Sequence, residues 1–482
     1  MADIKELFKN IKGKKFFLVG IKGTGLSAFA ELLLNAGAGV SGSDTAEKFY
    51  TDQVLSSLGI PYKEGFSSDN VPADTDCVIY SSAYNPETNP DLAEARRRGL
   101  PMLEYTAALG AFSSAFDAGG IAGVHGKTTT TAITGTLLKA LDAPAAVLAG
   151  SAVSNFGGHS TIVNGSRYFV AETCEYKRHF MHFCPRRMII TSIEPDHLDF
   201  YPTYQDIFKA FVDYAMLLPE GGELIYCADD KGCCELKHII CEKRPDIVLI
   251  PYGNNASGDF KITSNYIKDG SNCFKVSGFD REFVLHIPGR HIALDAAAAL
   301  AMAVCILKSW KGSVTDSDLD KIEAGFKAFC GSKRRSEIVG KAAGIVFMDD
   351  YGHHPTAIRL TLEGIRNFYP GRRIIMDFMS HTYSRTEGLL EEFASCMGSA
   401  DEVILNDIYA SAREKNTKSD LNQRFFKALC AHHPNAKYFN RPLDAFDYLA
   451  GHLKEGDVFV TMGAGDNWVL SKKLYEYFEA KK

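Results

Sequence analysis

The amino-acid sequence predicts an α/β protein with parallel sheets, and three observations support this class. Short apolar runs alternate with longer helical patterns along the chain, as in strand–helix–strand units. Glycine-rich loops follow two predicted strands in the first third of the chain, and polar loops follow the predicted strands of the last third. With about 150 residues per domain, the 482 residues allow about three domains.

Composition excludes several classes of protein. With 46% hydrophobic and 23% charged residues, the chain resembles a soluble globular protein. The net charge of −6 gives no global attraction to nucleic acid, so no nucleic-acid partner is expected. The longest apolar run, residues 296–307, is shorter than the roughly 18 residues of a membrane span and predicts a buried helix. The first residues lack a signal-peptide pattern and the 12 cysteines are scattered, so we expect reduced thiols, no membrane insertion and a cytoplasmic location.

The first block of the sequence begins with a predicted strand at residues 16–19, which a glycine loop and a helix at 26–36 follow. A second strand is predicted to end near Val40, and another spans residues 77–80. The loop Gly20-Ile-Lys-Gly23-Thr-Gly25 is similar to a dinucleotide fingerprint, and Asp44 follows at a distance where an acid can bind a ribose. This pattern alone leaves open a plain glycine turn, nucleotide binding without redox chemistry, and NAD binding.

The second block contains the most specific motif, residues 123–131, which read Gly-Val-His-Gly-Lys-Thr-Thr-Thr-Thr between a predicted strand and a predicted helix. Backbone amides in such a turn, together with a helix N-terminus, bind phosphate. The lysine adds a positive charge, and a following hydroxyl can bind Mg²⁺. The loop is shorter than the strict P-loop pattern, whose first glycine would fall at Ile121. A glycine-rich loop with an incidental lysine is the alternative interpretation.

Acids and a histidine follow two further strands of this block, which are predicted near residues 168–170 and 188–192. Glu172 follows the first strand, and Asp196 and His197 follow the second. A carboxylate and an imidazole near a phosphate loop could complete the ligand shell of Mg²⁺. For each residue taken alone, a purely structural role is the alternative. Shorter β segments are predicted between about 260 and 286, and the alanine-rich helix closes the block.

The third block starts after residue 331 and repeats one unit, an apolar strand followed at once by a polar loop. Because ligands of open α/β sheets collect at the carboxyl ends of the strands, these loops are the expected chemical surface. The loops at 349–355 and 381–386 combine an unusual number of titratable groups, with a solvated surface as the alternative. The loop at 463–466 could be only a tight turn.

Taken together, these motifs resemble those of the Mur ligase family of peptidoglycan precursor synthesis. The resemblance covers essentially the whole chain in the expected order. It rests on residues 123–131, 193–199, 288–291, 349–356, 381–386 and 463–466.

The resemblance implies three domains. These are a Rossmann-like domain for a UDP-sugar at residues 1–115, a central P-loop ATPase-like domain with a mixed sheet at 116–329, and a C-terminal Rossmann-like α/β domain for an amino acid at 330–482. The implied reaction uses ATP and Mg²⁺ to join L-alanine to the carboxylate of UDP-N-acetylmuramate through an acyl phosphate. Glycine or L-serine as the amino acid, or addition of a preformed peptide in cell-wall recycling, are the alternatives within the family. A monomer or weak homodimer is expected.

The resemblance also implies roles for individual residues of the nucleotide site. The ATP phosphates would contact Gly123, Val124, His125, Gly126, Lys127, Thr128 and Thr129, and Mg²⁺ would bind Thr128, Glu172 and His197. The nucleotide would face His291, Asp295, Arg334 and Arg335, with Asp350 at its ribose or at the metal. His125 would also lie beside the muramoyl carboxylate.

The two other substrates have implied sites of their own. The UDP-sugar would contact Gly20, Gly23, Gly25, Ser43 and Asp44. The amino acid would contact Tyr351, His353, His381 and Arg385, and the Arg385 guanidinium suits a carboxylate. The predicted catalytic residues are Lys127, His125, Glu172, His197, His353 and Arg385.

Some residues depart from the family pattern. Lys22 replaces a usual glycine, so we expect the UDP diphosphate to meet a side chain there. Thr382 stands where an arginine is usual beside the amino-acid site. Ile292 and Asp295 stand where the family has two asparagines after His291.

Two other classes of protein are alternatives to a ligase. A dehydrogenase would use the first glycine loop for NAD, but it gives no role to residues 123–131 or to the histidines of the third block. A nucleotide switch would use the phosphate loop alone, and it gives no role to Glu172, His197, His381 and Arg385.

Overall fold

The structure is a computed structural model, and it describes residues 2–49, 51–197, 200–289, 292–410 and 420–481. The chain divides into two compact units. The first unit contains Met1–Asp196, Thr203–Ile262 and Asp295–Ala328, and the second contains His197–Pro202, Thr263–Leu294 and Phe329–Lys482. The division into three domains remains a prediction.

The first unit begins with a five-stranded parallel sheet in the order β3-β2-β1-β4-β5. Its strands are β1 (Lys15–Val19), β2 (Gly39–Asp44), β3 (Tyr62–Glu64), β4 (Cys77–Tyr80) and β5 (Met102–Glu104). Its helices are α1 (Ala2–Lys9), α2 (Thr24–Asn35), α3 (Thr51–Ser57), α4 (Pro90–Arg97) and α5 (Tyr105–Ser113). The parallel order and the helical crossovers place the loop after β1 and the end of β2 side by side at the carboxyl edge.

The predicted end of β2 near Val40 was wrong, because the strand continues to Asp44. The apolar run stops at Val40, but the backbone continues to pair with β1 as far as Val19 opposite Ser43. A side chain at Gly42 would collide with the Leu18 carbonyl, so glycine permits this close pairing. The extension brings Ser43 and Asp44 next to the first glycine loop.

A second, mixed sheet has ten strands, and seven of them lie in the first unit in the order β12-β11-β10-β6-β9-β7-β8. Its strands are β6 (Asp117–Ala122), β7 (Ala145–Leu148), β8 (Thr161–Val163), β9 (Tyr168–Glu172), β10 (Arg187–Ile190), β11 (Glu223–Cys227) and β12 (Val248–Gly253). The associated helices are α6 (Lys127–Ala140), α7 (Tyr204–Ala215), α8 (Lys231–Lys243), α9 (Ile292–Lys311) and α10 (Asp316–Ala328). Strands β12 to β7 pair in parallel, and β8 is antiparallel to β7.

Helix α9 is the alanine-rich helix that the sequence predicts. Among the described residues it is the one helix long and apolar enough to cross a membrane, but 78% of its most apolar window is buried. Met302 of α9 packs 3.1 Å from the Cβ position of Gly119 in β6, so a small residue in the strand lets the helix approach the sheet closely. Its packing is that of a core helix, as expected.

The second unit contains a six-stranded sheet in the order β16-β17-β21-β18-β19-β20. Its six strands are β16 (Glu337–Ala342), β17 (Ile345–Asp350), β18 (Arg373–Met379), β19 (Glu402–Leu405), β20 (Ala436–Tyr438) and β21 (Asp457–Gly463). Three strands precede this sheet in sequence, namely β13 (Phe260–Lys268), β14 (Ser271–Val276) and β15 (Phe283–Leu285). The helices of the second unit are α11 (Pro355–Phe368), α12 (Tyr383–Gly388), α13 (Leu390–Ser395), α14 (Leu421–His432), α15 (Phe446–His452) and α16 (Trp468–Glu479). Short 3₁₀ segments occur at Ser68–Asn70, Ser154–Phe156, Tyr176–His182 and Pro442–Ala445.

Both faces of this third sheet are buried. Ile358 and Leu362 of α11 belong to one apolar cluster, and Leu470 and Leu474 of α16 belong to another. Strand β16 is antiparallel to β17, and the other neighbours pair in parallel. Helices on both faces of a mostly parallel sheet confirm the predicted α/β class.

Candidate active site

The first glycine loop uses its backbone amides inside the unit. Gly20 and Ile21 donate to the Ser43 carbonyl at 2.8 and 3.2 Å, and Gly23 donates to the Gly20 carbonyl at 3.0 Å. Gly20 has φ +88°, and a side chain there would collide with the Tyr84 ring. At Gly25 the Tyr105 ring lies 2.9 Å from the position of a Cβ atom. The sequence analysis did not single out Tyr84 or Tyr105, because both are distant from the loop in sequence.

Ser43 and Asp44 are buried at the end of β2, and their side chains already have partners. The Ser43 hydroxyl donates to Asp91 at 2.5 Å. The Asp44 carboxylate accepts from the Lys22 amide at 2.7 Å, the Thr45 amide at 2.8 Å and the Tyr84 hydroxyl at 2.9 Å. Both side chains are therefore engaged in hydrogen bonds inside the unit, and the Asp44 carboxylate holds the backbone of the first glycine loop.

The Lys22 side chain does not extend from the loop as we expected from the sequence. It is 1% exposed, and its ammonium donates to the carbonyls of Thr45 and Glu47 at 2.9 and 3.0 Å. Asp52 and Glu64 lie 3.2 and 3.3 Å from Nζ. The expectation that this side chain meets a diphosphate was wrong, because acceptors from α3, β3 and the segment after β2 bind the ammonium instead.

The phosphate loop at 123–126 connects β6 to α6, and it is tightly enclosed. Gly123 has φ +136°, and a side chain there would collide with Thr191. Gly126 has φ +78° as the N-cap of α6, and a side chain there would collide with the Asp295 carboxylate. Asp295 therefore lies against the phosphate loop, where it also contacts the Thr130 hydroxyl at 3.3 Å. Only glycine suits both loop positions.

Amides of this loop also have internal acceptors. Val124 donates to the Ser192 carbonyl at 3.1 Å, and His125 donates to the Ser192 hydroxyl at 3.0 Å. The first turn of α6, which contains Lys127, Thr128 and Thr129, remains the positive end of the helix macrodipole. The His125 imidazole lies 3.6 Å from the Glu194 carboxylate.

Lys127 is the first residue of α6, and its ammonium is held at the loop. Nζ donates to the carbonyls of Gly123 and Val124 and lies 3.0 Å from Oε2 of Glu175, which is 1% exposed. Burial by itself would lower the pKa of Lys127, but the negative charges of Glu175, Cys174 and Glu172, together with the hydrogen bond to Glu175, outweigh burial and raise it. The lysine is therefore a fixed cation. Glu175 is not among the residues that the sequence predicts for the site.

Glu172 ends β9, the parallel neighbour of β6, and pairs in register with Ile121 just before the phosphate loop. Its Oε2 accepts from the Gly150 amide at 2.9 Å. Thr128 is 4% exposed in the first turn of α6. The first unit thus has oxygen donors of the kind that Mg²⁺ prefers on two adjacent elements.

The sequence also predicts His291 and His197 for the nucleotide site. His291 lies outside the described residues. His197 belongs to the second unit, where it has φ +52° and its carbonyl accepts from the Phe200 and Tyr201 amides at 2.8 Å each.

In the second unit, two arginines lie over one tyrosine. The guanidinium carbons of Arg334 and Arg335 are each 5.1 Å from the Tyr351 ring centroid. Arg334 also bonds Asp349 at 3.0 Å and the Gly463 carbonyl at 2.6 Å. These contacts join the loop before β16 to the carboxyl ends of β17 and β21.

Asp350 is buried and accepts three hydrogen bonds. Its partners are the Ser336 amide at 2.6 Å, the Ser336 hydroxyl at 3.4 Å and the Gly352 amide at 2.7 Å. The carboxylate therefore orders the loop that leads to Tyr351 and His353.

The predicted amino-acid residues Tyr351, His353 and His381 form one row of rings. The centroids are 5.3 Å apart from Tyr351 to His353 and 6.4 Å apart from His353 to His381. Tyr409, which the sequence analysis missed, extends the row and stacks on His381 at 5.9 Å and 21°. The apolar residues before Tyr409 predict the strand β19 but not the stacking. The stacking depends on the bridge between His381 and Tyr409, which are distant in sequence.

Arg385 lies in α12, directly after this row, and is partly exposed. The loop that leads to it is constrained. Thr382 has φ +68°, and its amide donates to the Tyr409 carbonyl at 3.0 Å. The Ser380 and Thr386 hydroxyls are hydrogen-bonded at 2.6 Å. These bonds fix the direction in which α12 leaves β18.

A row of buried polar residues lies beneath these loops. Asp349, Thr461 and Asp377 are paired in register across β17, β21 and β18. Burial raises the pKa of Asp349 to about 6, against the opposing effect of Arg334. Burial raises the pKa of Asp377 to about 7, although hydrogen bonds from Asn467 and Asn406 oppose it, and Asp349 and Asp466 add to the rise.

We expect Asp377 to make the protein less stable as pH rises. The folded carboxyl keeps its proton up to about pH 7, whereas an unfolded aspartate ionises near pH 4. The stabilisation is present below the unfolded pKa and is lost as pH rises through the folded pKa. The loss between about pH 4 and pH 7 amounts to about 4 kcal/mol, of which about 3 kcal/mol falls above pH 5.

The measurement is urea unfolding at pH 5 and pH 8. Asp377→Asn resembles the protonated state, so the variant should lose less stability between the two pH values than the wild type. Asp447→Asn, at an exposed position of α15, should behave like the wild type. Equal losses in the wild type and in Asp377→Asn would contradict the assignment.

Comparison with known proteins assigns the chain to a family. Residues 15–117 match the model of the Mur ligase family catalytic domain, 121–303 the Mur ligase middle domain, and 334–465 the Mur ligase glutamate ligase domain. The UDP-N-acetylmuramate–L-alanine ligase of Treponema pallidum is 48% identical over 98% of each chain. The chain belongs to the Mur ligase family.

Two further matches also extend over nearly the whole length of this Mur ligase. The UDP-N-acetylmuramate–L-alanine ligase of Borreliella afzelii is 38% identical over 94% of this chain and 97% of its own length. The crystal structure of the UDP-N-acetylmuramate-alanine ligase of Thermotoga maritima has a TM-score of 0.78 and 25% identity, over 97% of this chain and all of that one. The family and the fold that the motifs predict are confirmed.

Proposed function

We propose that this Mur ligase joins L-alanine to the carboxylate of UDP-N-acetylmuramate in peptidoglycan precursor synthesis, with ATP converted to ADP and phosphate. The observation that carries the proposal is the fixed Lys127 ammonium in a glycine-enclosed phosphate loop. It is supported by relatives that are named for this reaction and match the chain over nearly its full length.

The reaction has a chemical obstacle that the site must overcome. A carboxylate repels an approaching amine, and it has no good leaving group. Transfer of a phosphoryl group from ATP gives an acyl phosphate, the amine attacks the acyl carbon, and phosphate leaves as the amide forms. The protein must hold three substrates together and balance the charge of the moving phosphoryl group.

The first unit suits the phosphoryl-transfer step. Lys127 and the first turn of α6 would bind ATP phosphates. The hydroxyl of Thr128 and the carboxylate of Glu172 are hard oxygen donors, so they fit Mg²⁺, and His197 is a further proposed ligand. Bound Mg²⁺ would neutralise phosphate charge. His125 would face the muramoyl carboxylate.

The second unit suits amino-acid binding. Arg385 would pair with the carboxylate of the amino acid, and the ring row from Tyr351 to Tyr409 would form the wall beside it. Arg334, Arg335 and Asp350 would face the nucleotide. The three-domain division, a cytoplasmic location, and a monomeric or weakly dimeric state are proposals of the same kind.

The test is phosphate release by the purified protein. Release should require ATP, Mg²⁺, UDP-N-acetylmuramate and L-alanine together. ATP hydrolysis that is indifferent to UDP-N-acetylmuramate would contradict the proposal.

A substrate panel separates the alternatives within the family. L-alanine should give a higher kcat/KM than glycine or L-serine, and a preformed peptide should give no product. A higher kcat/KM with the peptide would instead identify a recycling ligase.

A further inference from the structure

Lys22 stands in the middle of the first glycine loop, but its charge is used inside the protein. Its side chain is fully buried, and its ammonium contacts two carbonyls and two carboxylates within 3.3 Å. The Tyr62 ring centroid lies 5.1 Å from Nζ. The backbone is held as well, since the Lys22 amide donates to Asp44 at 2.7 Å and its carbonyl accepts from the Thr51 hydroxyl at 2.5 Å.

These contacts come from three separate elements. Thr45 and Glu47 belong to the segment after β2, Asp52 to α3, and Glu64 to β3. Hydrogen bonds from Lys48 and then from Lys22 lower the pKa of Glu64, so this partner is ionised at neutral pH. Lys22 therefore connects the glycine loop to the whole edge of the sheet beyond β2.

The same geometry limits how the loop can bind an anion. The four consecutive amides from residue 20 to residue 23 donate to Ser43, Asp44 and Gly20. A diphosphate cannot take these hydrogen bonds without breaking internal ones, and the Lys22 ammonium faces away into the cluster. A lysine in a phosphate loop is usually expected to contact the phosphate directly with its ammonium, and the position of the Lys22 ammonium does not fit such a contact.

The segment after β2 has a distinct place in such folds. In a doubly wound sheet the end of the second strand faces the ribose of a bound nucleotide. Here Asp44 ends that strand, and the next residues bend back over Lys22, whose ammonium binds the carbonyls of Thr45 and Glu47.

We propose that Lys22 is a positioning residue of the UDP-sugar site: its ammonium fixes the segment Thr45–Glu47 for recognition of the nucleoside, while the diphosphate is bound by other groups. The proposal rests on the proposed function. It predicts that the charge of Lys22 contributes to binding through the loop that it orders.

The test replaces Lys22 by methionine, which keeps the length of the side chain and removes the ammonium. The KM for UDP-N-acetylmuramate should rise about tenfold, the loss expected for misplacing one or two hydrogen bonds. The kcat and the KM values for ATP and L-alanine should stay within about twofold, because their proposed residues lie on other elements.

Binding of two ligands separates positioning from direct contact. By calorimetry or competition, the Kd values for uridine and for UDP should rise by the same factor in Lys22→Met. A loss for UDP with none for uridine would mean that the ammonium contacts the diphosphate, and it would overturn the proposal.

The chain offers a matched control. Lys48 also pairs with Glu64, at 2.5 Å, but its side chain is 74% exposed. Lys48→Met should leave the KM for UDP-N-acetylmuramate within about twofold of the wild-type value. If Lys22→Met does not fold, Glu64→Gln removes one acceptor of the ammonium and should raise the same KM in the same direction.

The outcomes for the two proposals are distinct. If the wild-type protein shows no phosphate release that depends on UDP-N-acetylmuramate, the proposed function is contradicted. If the wild-type protein turns over but the KM for UDP-N-acetylmuramate is unchanged in Lys22→Met, or in Glu64→Gln where that variant is used, only the role of Lys22 is contradicted.

Discussion

Replacing Lys127 by alanine should lower kcat by about 10²- to 10³-fold, which is the loss expected when one preorganised group that stabilises developing charge is removed. The ammonium is already fixed before any nucleotide arrives, because Gly123, Val124 and Glu175 hold it at the mouth of the phosphate loop. The expected defect therefore lies in phosphoryl transfer.

Two measurements and one control define this result. Phosphate release should fall, while the Kd for UDP-N-acetylmuramate, whose proposed residues lie in the loop after β1, on β2 and on α2, should remain within about twofold. Lys139→Ala removes an exposed lysine from the same helix, whose ammonium donates to the Asn155 carbonyl at 2.9 Å, and it should keep full turnover. Retained turnover in Lys127→Ala would refute the phosphate assignment.

Replacing Arg385 by alanine should raise the KM for L-alanine by about 10- to 100-fold, the effect of losing a hydrogen-bonded charge pair. The guanidinium is the cation that follows the ring row directly, and the bonds at Thr382 and Ser380 fix the start of its helix. The kcat at saturating amino acid should change less than the KM.

The readout is a set of initial rates over a range of L-alanine concentrations. Lysine keeps the charge but not the planar two-donor geometry, so Arg385→Lys should restore only part of the affinity. Arg424→Ala removes a half-exposed arginine that pairs with Glu387 at 3.6 Å, and it should leave the KM unchanged. An unchanged KM in Arg385→Ala would remove this residue from the amino-acid site.

The features that the sequence predicts best are those whose geometry depends on residues close together in the chain. The phosphate loop could be predicted because a strand, two glycines and a helix start within ten residues fix its geometry, and β6 and α6 lie on either side of it. The polar loops of the third block could be predicted for the same reason. Parallel strands bring their carboxyl ends to one edge, so His353 and His381 lie in one row.

Features that depend on distant partners could not be predicted. The inward direction of Lys22 depends on Asp52 and Glu64, which are separated from it by a helix and a strand. The stacking of Tyr409 on His381 depends on the pairing that follows β18 and β19. Asp377 stands in an apolar strand pattern, and its buried partner Asn467 comes from the start of α16, 90 residues later.

The order in which the chain is made has a consequence for the first unit. Helix α9 covers Gly119 of β6, but it is synthesised after every strand of that sheet and after the intervening residues 263–291. While the ribosome translates that interval, the finished strands lack the part of their apolar cover that α9 provides. We therefore expect the nascent chain to depend on chaperones until residue 311 has emerged, and a chain shortened before residue 295 to aggregate.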